Sequence, residues 1–308
     1  MKQFPVAAAL SALARPRAFF FGTPPGPSAP ARSIRVTAPP SRLLGRDRLR
    51  LGLGAEHIAV ALYCGGRRSQ PGCSDVVPFA ACSDGGWRAA VEALPHAVAR
   101  FDGRRLAVTV IVADRFVRYA LLPWSVALGS EAEWLALARH RFSSVHGGAA
   151  DGWQVRVARA ARESPRLACA IDAELMSALH NNFAGRAVLV SVQPHLMAVY
   201  NRLPAGLRRG SFWLLVEEGP RMTVALLKEG AWYAVRSRHR PDAGRTGLAP
   251  LLDRESSLLG LVEPCYDVRI CTEDAPLAEE TAGAYRLRDV TFEARNARAD
   301  RKLSIALE

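Results

Sequence analysis

The side chains of chemical interest in this chain are few and scattered. There are seven histidines, at 57, 96, 140, 146, 180, 195 and 239, and six cysteines, at 64, 73, 82, 169, 265 and 271. No two cysteines form a C-x-x-C pair, and no histidine spacing accompanies them as a zinc site requires. Scattered thiols of this kind fit a reducing compartment. His140 and His146 are six residues apart and so fall on different faces of a helix. Ser143, Ser144 and His146 are neighbours in sequence, but a catalytic triad is defined by geometry rather than by adjacency. Walker A, H-E-x-x-H and G-x-S-x-G patterns are absent. Glu217-Glu218-Gly219-Pro220 places an acidic pair at a sharp turn.

That turn lies inside Ser211–Arg238, which reads as a meander of strands. The apolar run Phe212–Val216 leads into it. Met222–Leu227 follows, then the turn Lys228-Glu229-Gly230, then Ala231–Arg236. A weaker copy sits at Leu51–Gly65. There Gly54 is followed by Val60-Ala61-Leu62 and Gly65; in the later copy Gly219 is followed by Val224-Ala225-Leu226 and Gly230. Both glycine pairs are eleven residues apart, with the Val-Ala-Leu blocks offset by one. Two similar hairpins far apart point to a duplicated α/β fold.

The elements between them can be read in order. Arg48–Cys64 is a hairpin and Val76–Ala81 a third strand. Trp87, Val91, Leu94, Val98 and Phe101 mark a helical stripe interrupted by Pro95. Leu106–Ala113 is a buried strand, and Phe116–Leu122 is expected to pair with it through an Asp114-Arg115 turn. Ser130 and Glu133 form a capping box for a helix that should stop at Gly147-Gly148. Trp153–Ala161 and Arg166–Ile171 read as an antiparallel pair, and Asp172 caps the next helix. Val188–Val192 is a strand and Pro194–Asn201 a helix with Leu196, Val199 and Tyr200 inward. A helix over Leu248–Leu261, a strand at Val268–Cys271 and last strands at Tyr285–Leu287 and Val290–Phe292 complete the chain.

Composition sets the limits. The chain has 308 residues, 49% of them apolar, and a formal net charge of +12. Residues 1–48 hold eight basic residues against Asp47 alone, and so carry seven of those charges. They also hold eight of the twenty prolines. Such a segment cannot bury enough apolar surface to fold alone and is expected to be a disordered basic tail. The remainder is only mildly basic, which argues against specific nucleic-acid binding, since that needs charge clustered on one face. No apolar run is long enough for a transmembrane helix. The six tryptophans read as core and interface anchors, with Trp124 and Trp134 flanking a Leu-Pro junction as a possible docking mark.

The order of elements resembles the actin-like fold of PilM-type pilus assembly proteins, the cytoplasmic domain of GspL-type secretion proteins and MshI-type pilus proteins. The residues that carry the resemblance are Val117-Arg118-Tyr119-Ala120-Leu121-Leu122-Pro123, Leu167-Ala168-Cys169-Ala170-Ile171-Asp172, and Leu215-Val216-Glu217-Glu218-Gly219 through Arg236. It spans about residues 49–275. It implies an α/β, actin-like (duplicated ribonuclease H-like) fold with mixed sheets. The first half is expected over 49–190 with an inserted subdomain, and the second over 191–308.

In nucleotide-binding relatives, phosphate sits between two hairpins, with an Asp at each and glycine N–H groups toward the phosphate oxygens. The corresponding residues here are Gly52, Gly54, Glu218 and Gly219. No Asp precedes the first two, Pro220 removes an N–H beside Gly219, and 240–275 has no Gly-Gly loop. The expected reading is a non-catalytic cytoplasmic scaffold, peripheral at the inner membrane and without a cofactor. It would bind the cytoplasmic tail of an inner-membrane pilus or secretion protein. Two alternatives remain open: an active actin-like ATPase or sugar-kinase relative holding ATP and magnesium, and a basic adaptor whose tail meets nucleic acid or anionic membrane.

Overall fold

In a computed structural model, the described residues are 47–64, 70–80, 86–104, 106–161, 163–272 and 280–290. The tail expectation for 1–48 lies outside them except at its end. Asp47 and Arg48 already belong to the first strand, β1 (Asp47–Leu53), and Asp47 pairs with Arg104 at 3.0 Å.

β1, β2 (His57–Cys64) and β3 (Gln70–Pro78) form an antiparallel meander. The expected third strand therefore starts six residues earlier than its valines. Helix α1 (Arg88–Val98) follows and contains Pro95 without breaking. Strand β4 (Leu106–Val112) then returns parallel to β1.

The same order recurs later. β9 (Phe212–Glu218), β10 (Arg221–Lys228) and β11 (Ala231–His239) form a second meander. Helix α5 (Leu248–Leu258) leads to β12 (Asp267–Cys271), which runs parallel to β9. The helix ends three residues before the expected Leu261, because Gly260 takes a left-handed φ of 61°. The last pair is β13 (Glu280–Ala282) with β14 (Tyr285–Asp289). Val290 is outside both strands, and 291–292 lie outside the described residues. The sheet orders are β3-β2-β1-β4-β8 and β11-β10-β9-β12-β14-β13, so the duplication seen in the two hairpins extends to whole half-folds.

One expected pairing is not formed. β5 (Val117–Leu122) does not fold back on β4; it pairs antiparallel with β7 (Arg166–Asp172), which also pairs with β6 (Trp153–Val157). Both sides of β4 are already taken, by β1 and by β8 (Ala187–Pro194). A 3-10 turn at Asp114–Phe116 sends the chain out of the first sheet instead. With α2 (Glu131–His146), β5–β7 make a small third layer around Trp134, Phe142 and Val155. Its helix starts at the capping box and stops at Gly147. α3 (Ala173–Phe183) is capped by Asp172, which accepts from Glu174 N.

The boundary drawn between 190 and 191 falls inside β8, which pairs with β4 along its length. α4 (His195–Arg202) follows directly, and every residue from His195 to Tyr200 is buried. A helix buried all round must lie between layers. It packs on β8, β4 and β9, and Tyr200 meets Trp232 with ring centroids 4.7 Å apart. One apolar core thus runs from Leu51 and Val110 through α4 to Leu214, Leu227 and Trp232.

Candidate functional site

The ends of β1, β4 and β9 converge on one short segment, Ala113-Asp114-Arg115. Ala113 N donates to Leu53 O at 3.0 Å, at the end of the first hairpin strand. Asp114 N and Arg115 N donate to the two carboxylate oxygens of Glu218, at 2.8 and 3.3 Å, at the tip of the second hairpin. The residue expected to face phosphate or metal therefore has both oxygens bound by main chain of the other half.

A third partner is His195, the first residue of α4, whose Nδ1 lies 2.7 Å from Glu218 Oε1. The ring is buried. Burial disfavours its charged form, but the Cys271 side chain at the end of β12 and the Glu218 carboxylate more than offset this. The imidazole pKa is raised well above 6.5. Glu218 at Nδ1 and the Cys271 side chain together hold the ring in place.

Asp114 completes the cluster. Pro194, the residue before α4, offers no capping side chain, and four N–H groups at a helix start need acceptors. Asp114 supplies one from 82 residues away, accepting from Leu196 N at 3.1 and 3.0 Å. Tyr119 donates its hydroxyl to Asp114 Oδ1 at 2.6 Å. Burial first, and then the negative charge of Glu218, push the Asp114 carboxyl up to about 7 against the opposing pull of His195, Tyr119 and Leu196. Burial, with Asp114 alongside, keeps the Tyr119 phenol neutral by raising it well above 10.0.

The remaining expected site residues are placed as follows. Gly52 is buried within β1, between Ala59 and Ile111. Gly54 follows β1, and its N–H is already bound to His57 O at 3.0 Å. A Cβ on Gly54 would lie 2.9 Å from that oxygen and 3.2 Å from the His57 ring, which closes over the turn. Gly219 has φ 57°, the left-handed value that the first central residue of a two-residue type II′ hairpin needs. Pro220 fits the second central position, where no N–H is called for. Arg236, the last-strand arginine of the resemblance, is tied at 2.9 Å to Glu255 of α5, which Arg238 also binds. Burial alone would raise the Glu255 carboxyl, but these two arginines, Arg238 foremost, hold it below its ordinary value.

The structure thus gathers Glu218 with Asp114, Tyr119 and His195, and leaves Gly52 inside β1 and Gly54 in the closed turn that follows it. Sequence reasoning passed over His195 and Asp114 as ordinary residues. The available signal was a helix beginning Pro194-His195 with no capping side chain of its own, which calls for a distant buried acceptor. Among the described residues no group of three His, Cys, Asp or Glu side chains is arranged to hold a metal ion. No described helix is long and apolar enough to cross a membrane.

No protein-family profile matches the chain, and no curated protein matches it by sequence. Solved structures do match. The cytoplasmic domain of EpsL, an inner membrane component of the type II secretion system of Vibrio cholerae, aligns over 84% of this chain and 94% of that one. Its TM-score is 0.54 at 13% identity. A Bacteroides thetaiotaomicron protein with an actin-like ATPase fold aligns over 77% and 86%, with TM-score 0.54 at 10% identity. A chain of the PilM–PilN type IV pilus biogenesis complex aligns over 72% and 80%, with TM-score 0.51 at 13% identity. Likeness at such low identity speaks to architecture: the chain has the actin-like fold, similar in structure to components of secretion and pilus assembly systems.

Proposed function

We propose that this protein is a non-catalytic scaffold of a type IV pilus or type II secretion-like assembly platform. In this reading it is peripheral to the inner membrane and holds the cytoplasmic tail of a membrane partner. The observation that carries the non-catalytic part is the Glu218 carboxylate, with two main-chain N–H groups of the first half and the His195 ring of α4 bound where the two hairpins converge. A nucleotide phosphate entering there would have to displace all three contacts and the Gly54–His57 closure. Gly52, Gly54, Glu218 and Gly219 then form the remnant of a phosphate site rather than a working one, with no cofactor. The shared core around α4 supports a rigid body rather than two lobes opening on a ligand.

The assembly part rests on structural similarity to the EpsL cytoplasmic domain and to PilM–PilN. It is tested by affinity capture from detergent-solubilised inner membranes of the native host. The expected result is enrichment of a pilus or secretion inner-membrane component that has a short cytoplasmic segment. Recovery of no such component above background would overturn the assembly role.

A further inference from the structure

The end of the second sheet remote from Glu218 gathers three loops. β9 and β12 run parallel, so the segments that lead into them, 203–211 and 259–266, meet the sheet at the same end. The turn between β10 and β11 joins them there. Gly230 N donates to Gly210 O at 3.1 Å, and Glu229 N to the Ser211 hydroxyl at 3.0 Å. A Cβ on Gly230 would lie 2.9 Å from Arg208 O, so this turn and the first loop are in close contact. Trp213 Nε1 donates to Cys265 O at 3.0 Å and ties the third loop to the start of β9. Along β9, this end is about 20 Å from the Glu218 cluster.

Exposed apolar side chains collect on these loops and on the end of α5 that feeds them: Leu207, Leu258, Val262 and Tyr266. Val262 is 95% and Leu258 56% exposed. Single exposed apolar residues are ordinary, but a cluster at one end marks a contact with protein or lipid. The same end carries Arg208, Arg209, Lys228 and Arg254, none with a carboxylate partner among the described residues. The acids there are fewer. Asp253 accepts from the Tyr285 hydroxyl at 2.8 Å, and Asp267 pairs with Arg286 at 3.3 Å. Glu229 and Glu263 remain exposed, two acids against four cations.

We infer that this end of the second sheet rests on an anionic lipid surface. Leu207, Leu258 and Val262 enter the boundary between headgroups and acyl chains, and the Tyr266 ring lies at headgroup depth, where an amphipathic aromatic is favoured. The four cations meet lipid phosphates. A bilayer fits these features better than a protein partner does. Protein interfaces anchor on side chains packed into pockets, whereas Val262 stands in a loop with almost its whole surface in solvent. Apolar tips on separate loops enter an acyl layer with no shape to match. The inference rests on the peripheral placement proposed above and gives it a contact face, with the converged hairpins held away from the membrane.

The test is co-flotation of the whole chain with vesicles of phosphatidylglycerol and phosphatidylcholine, with pure phosphatidylcholine vesicles as control. The expected result is partition onto the anionic vesicles, weakened about tenfold by Leu207→Asp with Val262→Asp and about tenfold by Arg209→Gln with Arg254→Gln. All four positions are exposed, and unchanged thermal unfolding of each double variant confirms that the fold is intact. Residues 1–48 carry seven positive charges and offer a purely electrostatic route to the same vesicles, but that route is indifferent to Leu207 and Val262. Undiminished binding of the apolar double variant, no binding of the wild type, or equal binding to both vesicle types overturns the proposal. Loss of protein capture by the apolar variant, with no vesicle binding by the wild type, would make this end a protein-docking face instead. Failure of the wider reading is separable. If the wild type ignores vesicles and still captures an inner-membrane component, the lipid contact is wrong and the scaffold role stands. If vesicles bind as expected and no such component is captured, the contact stands and the scaffold role falls.

Discussion

Replacing Glu218 with alanine is expected to be the most damaging single change in the chain. It removes one carboxylate but strands three groups: the N–H of Asp114, the N–H of Arg115 and the His195 imidazole. The imidazole is the costly one, because it is buried and Glu218 is the carboxylate that, beside the Cys271 side chain, favours its charged form. Removing one partner of a buried ionic pair typically costs about 3–5 kcal/mol. At this size each kcal/mol corresponds to roughly 2–4 °C, so a fall in Tm on the order of 10 °C is expected. Glu218→Gln keeps an acceptor and loses the charge, and should fall between wild type and alanine. Limited proteolysis of the alanine variant should cut earliest near α4, the element that joins the halves. A Tm within a degree or two of wild type would mean that Glu218 is an ordinary turn residue and the halves are held by the apolar core alone.

The second large effect is a loss of stability with rising pH. Asp114 has a native pKa of about 7 against an ordinary 3.8. Between those values the native state holds a proton that the unfolded chain has released, so stability falls as pH rises through this window. His195 acts in the same direction. Its native pKa is raised above 6.5, so its contribution is fully present below that value and is lost as pH climbs through the raised one. From about pH 5.5 to about pH 8.5 the loss should be roughly 2 kcal/mol or more. Thermal unfolding across that range should show Tm declining by several degrees. Asp114→Asn should flatten the decline, because the amide cannot ionise but its oxygen can still accept from Leu196 N. A wild-type Tm that is level or rising over the range, or an unchanged slope in the variant, would contradict this assignment.

Much of the architecture was legible from local signals. The capping box at Ser130 and Glu133, the Asp172 cap and the two glycine-paced hairpins are short-range features, and the structure keeps each of them. The failures came where a tertiary contact overrode a local rule. Asp114-Arg115 has the look of a hairpin turn between two apolar runs. The Asp114 side chain is drawn instead to the start of α4, and with both edges of β4 occupied, β5 leaves the sheet. α5 stops early because a glycine can end a helix in the middle of a leucine pattern.

The site was half legible. Glu218 and Gly219 stood out by type and spacing. What Glu218 touches did not, because its partners lie more than a hundred residues away at Asp114 and twenty-three away at His195. A lone histidine carries no sequence mark of charge. It acquires one only when burial and a carboxylate meet it in the fold.

The central claim is that contacts between the halves occupy the place where two phosphate hairpins would hold a nucleotide. It is tested most directly by calorimetric titration of Mg-ATP into this chain, paired with a thermal-shift measurement. The expected result is no saturable heat and no shift. A ligand at a hundred times its Kd would add about 2.7 kcal/mol, so a true site would not escape notice. Saturable heat with a micromolar Kd and a matching rise in Tm would contradict the account. It would mean that Glu218 releases Asp114 and His195 on binding, and that the active ATP-binding reading of this fold is the correct one.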